Sequence, residues 1–271
     1  MEILTIVEKL IFGAVLGFAI GLTGIGGGVF VLPMLSIFLK LPISVAIGTA
    51  SFFTFIAKIF ATTEHFRRKT INFRVSFLFL LGAVPGNILS SVVINSLVSK
   101  YKDKTELIHS LQNNLKIAVI VIMVLSLIVI FIQYFLKISD QKEIKEEKTW
   151  GNITKLILFG LIVGIIIGST SIGGGILIVP ILIIFFGITT KNTVGTSIFI
   201  GVISTLVTTI IYGGNGQVEF ETAGIMWIGS LGGVYFGSLL CHKISEKLLK
   251  IIVLGVVLLS TGLMIFGNSM H

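Results

Sequence analysis

Eleven residues, Thr23-Gly24-Ile25-Gly26-Gly27-Gly28-Val29-Phe30-Val31-Leu32-Pro33, return 147 positions later as Thr170-Ser171-Ile172-Gly173-Gly174-Gly175-Ile176-Leu177-Ile178-Val179-Pro180. The same offset aligns 13–62 with 160–209 without a gap. It continues through Phe73/Phe220, Gly82/Gly229, Gly86/Gly233 and Ser91/Ser238. About half of the chain therefore duplicates the other half, and the fold must be assembled from two equivalent units.

Each glycine triplet interrupts a long apolar run. The chain is 54% hydrophobic and only 12% charged, with a mean hydropathy of +1.07. A soluble domain carries about 25% charged residues, so the composition points to an integral membrane protein. The 20 Lys and Arg lie mostly in short loops between apolar segments, as membrane orientation requires, which argues against a nucleic-acid partner. The lone Cys241 allows no internal disulfide, and the four His (65, 109, 242, 271) stand at no ligand spacing. No phosphate-binding loop occurs, and a dinucleotide pattern from Gly24 would need glycine where Val29 stands. The reading is of a non-enzyme with no cofactor and no metal. The first twenty residues resemble a signal peptide, but they align with 148–167 in mid-chain and are read as retained structure.

The segments follow from hydropathy. The first run, 3–39, exceeds the roughly 20 residues of one span and divides at the glycines into arms 5–22 and 29–39. Spans follow at 43–63, 75–96 and 115–136, with 97–114 polar. Residues 1–136 form the first transmembrane repeat and 137–152 a charged cytoplasmic linker. Residues 153–271 form the second repeat, with its glycine run at 153–187 and spans at 192–212, 222–240 and 248–267. Two arrangements are possible. If each glycine run is a re-entrant hairpin, the halves are inverted with both termini outside. Loops 64–74, 137–155, 188–191 and 241–250 then gather 13 Lys and Arg inside against 6 outside. If each run crosses once, the halves are parallel and the split is 10 to 9. The positive-inside rule favours inversion. The expected fold is an all-α integral membrane protein of two inverted repeats, each a Gly-broken re-entrant hairpin plus three spans, about eight hydropathy segments in all.

Glycines inside lipid cost backbone hydrogen bonds, and such breaks survive only where buried in protein or facing a watery cavity. One reading is a broken helix whose free N–H groups face a ligand. The other is close helix packing, which suits Gly13, Gly17, Gly21 and their counterparts Gly160, Gly164, Gly168 at four-residue spacing.

The glycine triplets with Pro33 and Pro180, followed by Gly48-Thr49 and Gly195-Thr196, resemble the sulfite exporter family (TauE/SafE, also called the toluenesulfonate uptake permeases). The resemblance covers nearly the whole chain. It implies a multi-pass transporter in the cytoplasmic membrane of a prokaryote, moving small sulfur-containing anions such as sulfite or sulfonates. Substrate and direction vary within the family.

An anion inside a membrane needs donors in place of water. Helix N-termini offer up to about four free N–H groups and roughly half a positive charge. Gly26, Gly27, Gly28, Gly173, Gly174 and Gly175 are the expected backbone cradle. Gly48, Thr49, Ser51, Gly195, Thr196 and Ser197 are the second set, with hydroxyls that could otherwise cap helices or bond back to carbonyls. Lys58 is a weaker candidate as counter-charge, since such a lysine usually snorkels to the interface and its counterpart is Thr205. Asn87 is a candidate of the same rank. Every Asp and Glu falls in a loop, linker or terminal segment, which disfavours coupling through an intramembrane carboxylate. The expected partners are a small anion and the bilayer. A membrane assembly subunit that transports nothing is the alternative. It would be marked by a large polar domain, whereas the loops here are short.

Overall fold

The computed structural model is described for residues 2–23, 28–135, 150–172, 174–188, 190–241 and 246–266. Gly26, Gly27, Gly173 and most of the linker 137–152 lie outside the described residues. The described chain is all-helical. The first half comprises α1 (Glu2–Thr23), α2 (Gly28–Ile37), α3 (Ile43–Arg67), α4 (Phe73–Tyr101) and α5 (Thr105–Phe135). The second comprises α6 (Trp150–Thr170), α7 (Ile178–Phe186), α8 (Thr190–Gly214), α9 (Phe220–Cys241) and α10 (Glu246–Phe266). Shifted by the repeat offset, α1 falls on α6, α3 on α8 and α4 on α9.

Among the described residues, five helical stretches are long and apolar enough to cross a bilayer: Ile43–Arg67, Phe73–Tyr101, Thr105–Val129, Ile153–Thr170 and Asn192–Gly214. The distribution of side chains is that of a protein in lipid. Phe77, Leu89, Ile162, Phe236 and Leu259 are exposed, while Thr54, Ser76, Asn87, Ser91, Thr196 and Ser204 are buried. In contrast, α2 has 10 residues and α7 has 9. At 1.5 Å per residue these reach only about 15 Å and 14 Å, half of a hydrocarbon core of about 30 Å.

The helices outrun the spans expected at 75–96 and 115–136: α4 runs to Tyr101 and α5 begins at Thr105, so the polar stretch 97–114 is helical except at 102–104. Its Lys, Glu, Gln and Leu residues are good helix formers and it holds no Gly or Pro. The apolar composition therefore stops before α4 does and resumes only after α5 has begun.

The halves are interleaved. α1 lies along α9 and α4 along α6, so each pair joins one helix from either half. A Cβ on Gly13, Gly17 or Gly21 would strike the backbone of Met226, Ser230 or Val234. One on Gly160, Gly164 or Gly168 would strike that of Phe79, Ala83 or Asn87, and these are the same pairs shifted by the repeat. The reciprocal contacts also recur: Gly229 and Gly233 sit on Leu10 and Ala14, and Gly82 and Gly86 on Ile157 and Leu161. Numbers rise together along each pair, so both pairs run parallel. α3 and α8 pack on each other between them. There Gly48 meets Tyr212, Gly201 meets Lys58 and Gly195 meets Thr70, so these two counterpart helices cross antiparallel.

The turns repeat as well. α7 ends at Gly187 (φ 60°), where α2 is followed at the equivalent place by Lys40 (φ 52°). α8 is followed by Gly216 (φ 68°), where α3 is followed by Lys69 (φ 53°). Both halves keep the left-handed residue, and only the second uses the amino acid that adopts it freely.

The glycine contacts make a prediction. Gly17→Ala and Gly164→Ala force backbone apart and each should cost about 1–3 kcal/mol. Gly224→Ala, with no atom within 4 Å of its Cβ, should leave stability unchanged. Melting temperatures of the three purified variants in detergent test this.

Candidate functional site

The second glycine break is built from its own neighbours. α6 ends at Thr170, and Ser171 turns the chain with φ 58°. Thr170 Oγ1 donates to Ile166 O (2.7 Å) and accepts from Ile172 N (3.2 Å), so one N–H freed by the break is satisfied locally. Turns at 174–177 lead into α7, whose N-cap Leu177 makes no side-chain cap bond. The start of α2 presses on this break, since a Cβ on Gly28 would strike Ser171 O. Ser51 Oγ on α3 shares hydrogen-bond distance (2.9 Å) with Ser171 Oγ and donates to Ile47 O (2.9 Å). The structure thus joins the opening of the first half's short helix, the break of the second half, and α3.

Lys58 completes this centre, and here the expectation of snorkelling fails. It is nine residues from the end of α3, about 13 Å along the helix, and only 7% exposed. Its side chain turns inward, across to α8 and the second glycine cluster. A Cβ on Gly174 would collide with Lys58 Nζ, and one on Gly201 would meet Nζ, Cε and Cδ. The repeat explains the fit. Gly201 is the counterpart of Thr54 and Thr205 that of Lys58, so the long side chain lies against the position without one. Among the described residues Nζ has no hydrogen-bond acceptor, and the one ion pair found is between Lys9 and Glu221. Lys58 is also the one buried charged side chain among them.

Two further hydroxyls belong with it. Thr54 Oγ1, one turn before Lys58, and Ser204 Oγ, three residues beyond Gly201, are buried without a partner. Thr62 Oγ1, one turn after Lys58, is likewise unpartnered. Thr205, by comparison, is satisfied by Gly201 O (2.7 Å). Sequence reasoning passed over Thr54, Thr62, Ser204 and Gly201. The four-residue spacing of Thr54, Lys58 and Thr62 on one helical face was the available signal.

The remaining candidates stand elsewhere. Thr49 Oγ1 accepts from Glu219 N (2.9 Å) and Thr196 Oγ1 from Asn72 N (3.0 Å). These are one contact made twice: each duplicated threonine holds the chain entering α9 or α4 of the opposite half. Gly48 and Gly195 lie beside them, under Gln217 and Val218 and under Thr70 respectively. Ser197 Oγ donates to Val194 O (2.8 Å). Gly175 O accepts from Val179 N (3.3 Å) as the turn enters α7. Asn87 ties α4 to α8, with Nδ2 donating to Ser204 O (2.8 Å) and Oδ1 accepting from Ser91 and Thr208 (3.0 Å each). Of the sequence candidates, Gly28, Ser51, Gly174 and Lys58 come together. Gly48, Thr49, Gly195, Thr196 and Asn87 instead join the halves.

The chain is similar to known proteins over nearly its full length. A family model described as Sulfite exporter TauE/SafE matches residues 10–264. Probable membrane transporter protein YjnA of Bacillus subtilis (strain 168) is 29% identical over 255 residues, covering 94% of this chain and 97% of that protein. Probable membrane transporter protein MJ0441 of Methanocaldococcus jannaschii is 28% identical over 271 residues, covering 92% of each. Probable membrane transporter protein YdhB of Bacillus subtilis is 23% identical over 235 residues, 87% of this chain and 90% of the other. No solved structure matches the chain.

The paired threonines are testable by hydroxyl deletion. Thr49→Val and Thr196→Val each strand a backbone N–H and should each cost about 1–3 kcal/mol, whereas Thr49→Ser and Thr196→Ser should melt near the parent. A ligand role alone predicts no loss of apo stability, so the thermal unfolding of ligand-free protein separates the two.

Proposed function

The chain belongs to the sulfite exporter TauE/SafE family, and from that premise we propose that it is a secondary transporter of small sulfur-containing anions, sulfite or sulfonates, across the cytoplasmic membrane of a prokaryote. It is a multi-pass membrane protein of a transporter family. The observation that carries the finer reading is the meeting of Gly28 with the broken segment at Ser171. Two helices too short to cross the membrane converge there on a buried centre. Broken helices at mid-membrane are where transporters of several folds bind their solutes, with half-helix N-termini turned toward anionic groups. The ammonium gathered at this centre favours an anion, and the hydroxyls can donate to it.

We infer further that the halves lie inverted in the membrane. The antiparallel crossing of α3 and α8 supports this. Two counterpart spans that point opposite ways are related by an axis in the membrane plane. The basic loop Arg67, Arg68, Lys69, Arg74 and its counterpart 212–221, which carries no Lys or Arg, support the same arrangement.

Two experiments test these readings. Proteoliposomes should take up sulfite or a sulfonate, and Gly174→Val should abolish uptake while the protein still inserts. Protein that moves none of these anions is not the transporter proposed. For topology, single cysteines at Arg68 and Asn215 in a Cys241→Ser background are exposed to an impermeant thiol reagent. Position 215 should label from outside intact cells and position 68 only after permeabilisation. External labelling of position 68 overturns the orientation.

A further inference from the structure

We propose that Lys58 is the electrostatic centre of the substrate site, and that its single fixed charge selects a monoanionic oxyanion, a sulfonate or hydrogen sulfite, over a dianion such as sulfate. The inference rests on the reading of the chain as a sulfur-anion transporter and adds which residue sets the charge the site accepts.

A cation removed from water without a partner is strongly unfavourable, and Lys58 is 7% exposed with no acceptor for Nζ among the described residues. The position is not an accident of packing, because room is made for it. Glycine stands at 201 where the counterpart is Thr54, and Gly174 is the second glycine whose missing side chain leaves space for Nζ. A buried ammonium for which two glycines make room calls for a counter-anion.

The surroundings define that anion. Two unpartnered hydroxyls stand on the same two helices, Thr54 Oγ1 one turn before Lys58 on α3 and Ser204 Oγ three residues beyond Gly201 on α8. The turns at 174–177 open α7 without a side-chain cap, which leaves partial positive charge at its start. These are several short-range donors around one charge, which suits a compact group with three or more acceptor oxygens. The charge count then discriminates. No carboxylate and no second cation is buried among the described residues. A monoanion therefore brings the site to neutrality, and a dianion leaves one negative charge uncompensated in low dielectric, which is disfavoured. The repeat does not double the charge, since Thr205 stands at the counterpart position with its hydroxyl already bonded to Gly201 O.

The test uses the full-length protein purified in detergent. Its melting temperature is followed against methanesulfonate, sulfate at matched ionic strength, and neutral dimethyl sulfone. Methanesulfonate should raise it saturably, and the other two should not. Lys58→Met replaces the ammonium by an apolar chain of similar length. Without ligand it should melt at or above the parent, because a lone buried charge is gone. Its apparent affinity for methanesulfonate should fall about tenfold or more. A Lys58→Met protein that binds methanesulfonate like the parent, or melts well below it without ligand, overturns the proposal, as does a parent stabilised equally by sulfate. Should Lys58→Met not accumulate, Thr54→Val decides. It keeps the charge and should weaken methanesulfonate several-fold, and unchanged affinity there overturns the site. The underlying functional reading fails separately, when the parent neither binds nor transports any sulfonate or sulfite. If the parent transports and Lys58→Met matches it, only the assignment of Lys58 falls.

Discussion

Everything in this fold depends on backbone meeting backbone. In lipid, apolar helices gain little by hiding from acyl chains, so association rests on close van der Waals contact and hydrogen bonds between helices. Glycine ladders supply that contact twice, α1 on α9 and α6 on α4. Because each ladder joins the two halves, neither half is complete alone. The ladders form a frame, and α3 and α8 cross within it. Polar side chains can then be buried between α3, α4, α6 and α8 without facing lipid.

Among the described residues the interior is stitched by neutral side chains rather than by ion pairs. Thr49 and Thr196 reach across to the opposite half, Asn87 gathers Ser91, Ser204 and Thr208, and Tyr212 donates to Gly168 O (3.0 Å). Neutral donors of this kind are cheaper to bury than charges. Most of them are satisfied, so Thr54, Thr62, Ser204 and the Oδ1 of Asn95 stand out by contrast. Along α3, Thr49 and Ser51 are engaged, and Lys58 beyond them reaches the second glycine cluster at Gly174.

The repeat, the membrane class, the glycine breaks and the packing faces could all be read from the sequence, because each is a local pattern. A glycine every fourth residue marks one helical stripe, and the triplets mark the breaks wherever they fall. The centre of the candidate site could not be read in the same way. The repeat offset pairs Lys58 with Thr205, and that pairing argued against a core role. The residue actually opposite Lys58 is Gly201, set by the antiparallel crossing, under which residue numbers run in opposite senses along the two helices. Thr49 and Thr196 were seen as a pair, but their acceptor role depends on segments 170 and 124 residues away. The helical ends of α4 and α5 were missed because hydropathy reports where lipid stops and not where the backbone ladder stops.

The facing of Lys58 and Gly201 has a consequence for what two-fold architectures can hold. In a dimer of identical half-length chains every side chain near the axis occurs twice, so the charge at a shared centre is even. Joining the copies in one polypeptide removes that restriction, since one copy can carry a lysine while the other carries a threonine. The backbone here keeps its pairing down to the left-handed turn residues, but the centre carries an odd charge. Parity, then, is what a single chain gains over a symmetric dimer: it can present one positive charge to one negative one at a nearly symmetric crossing.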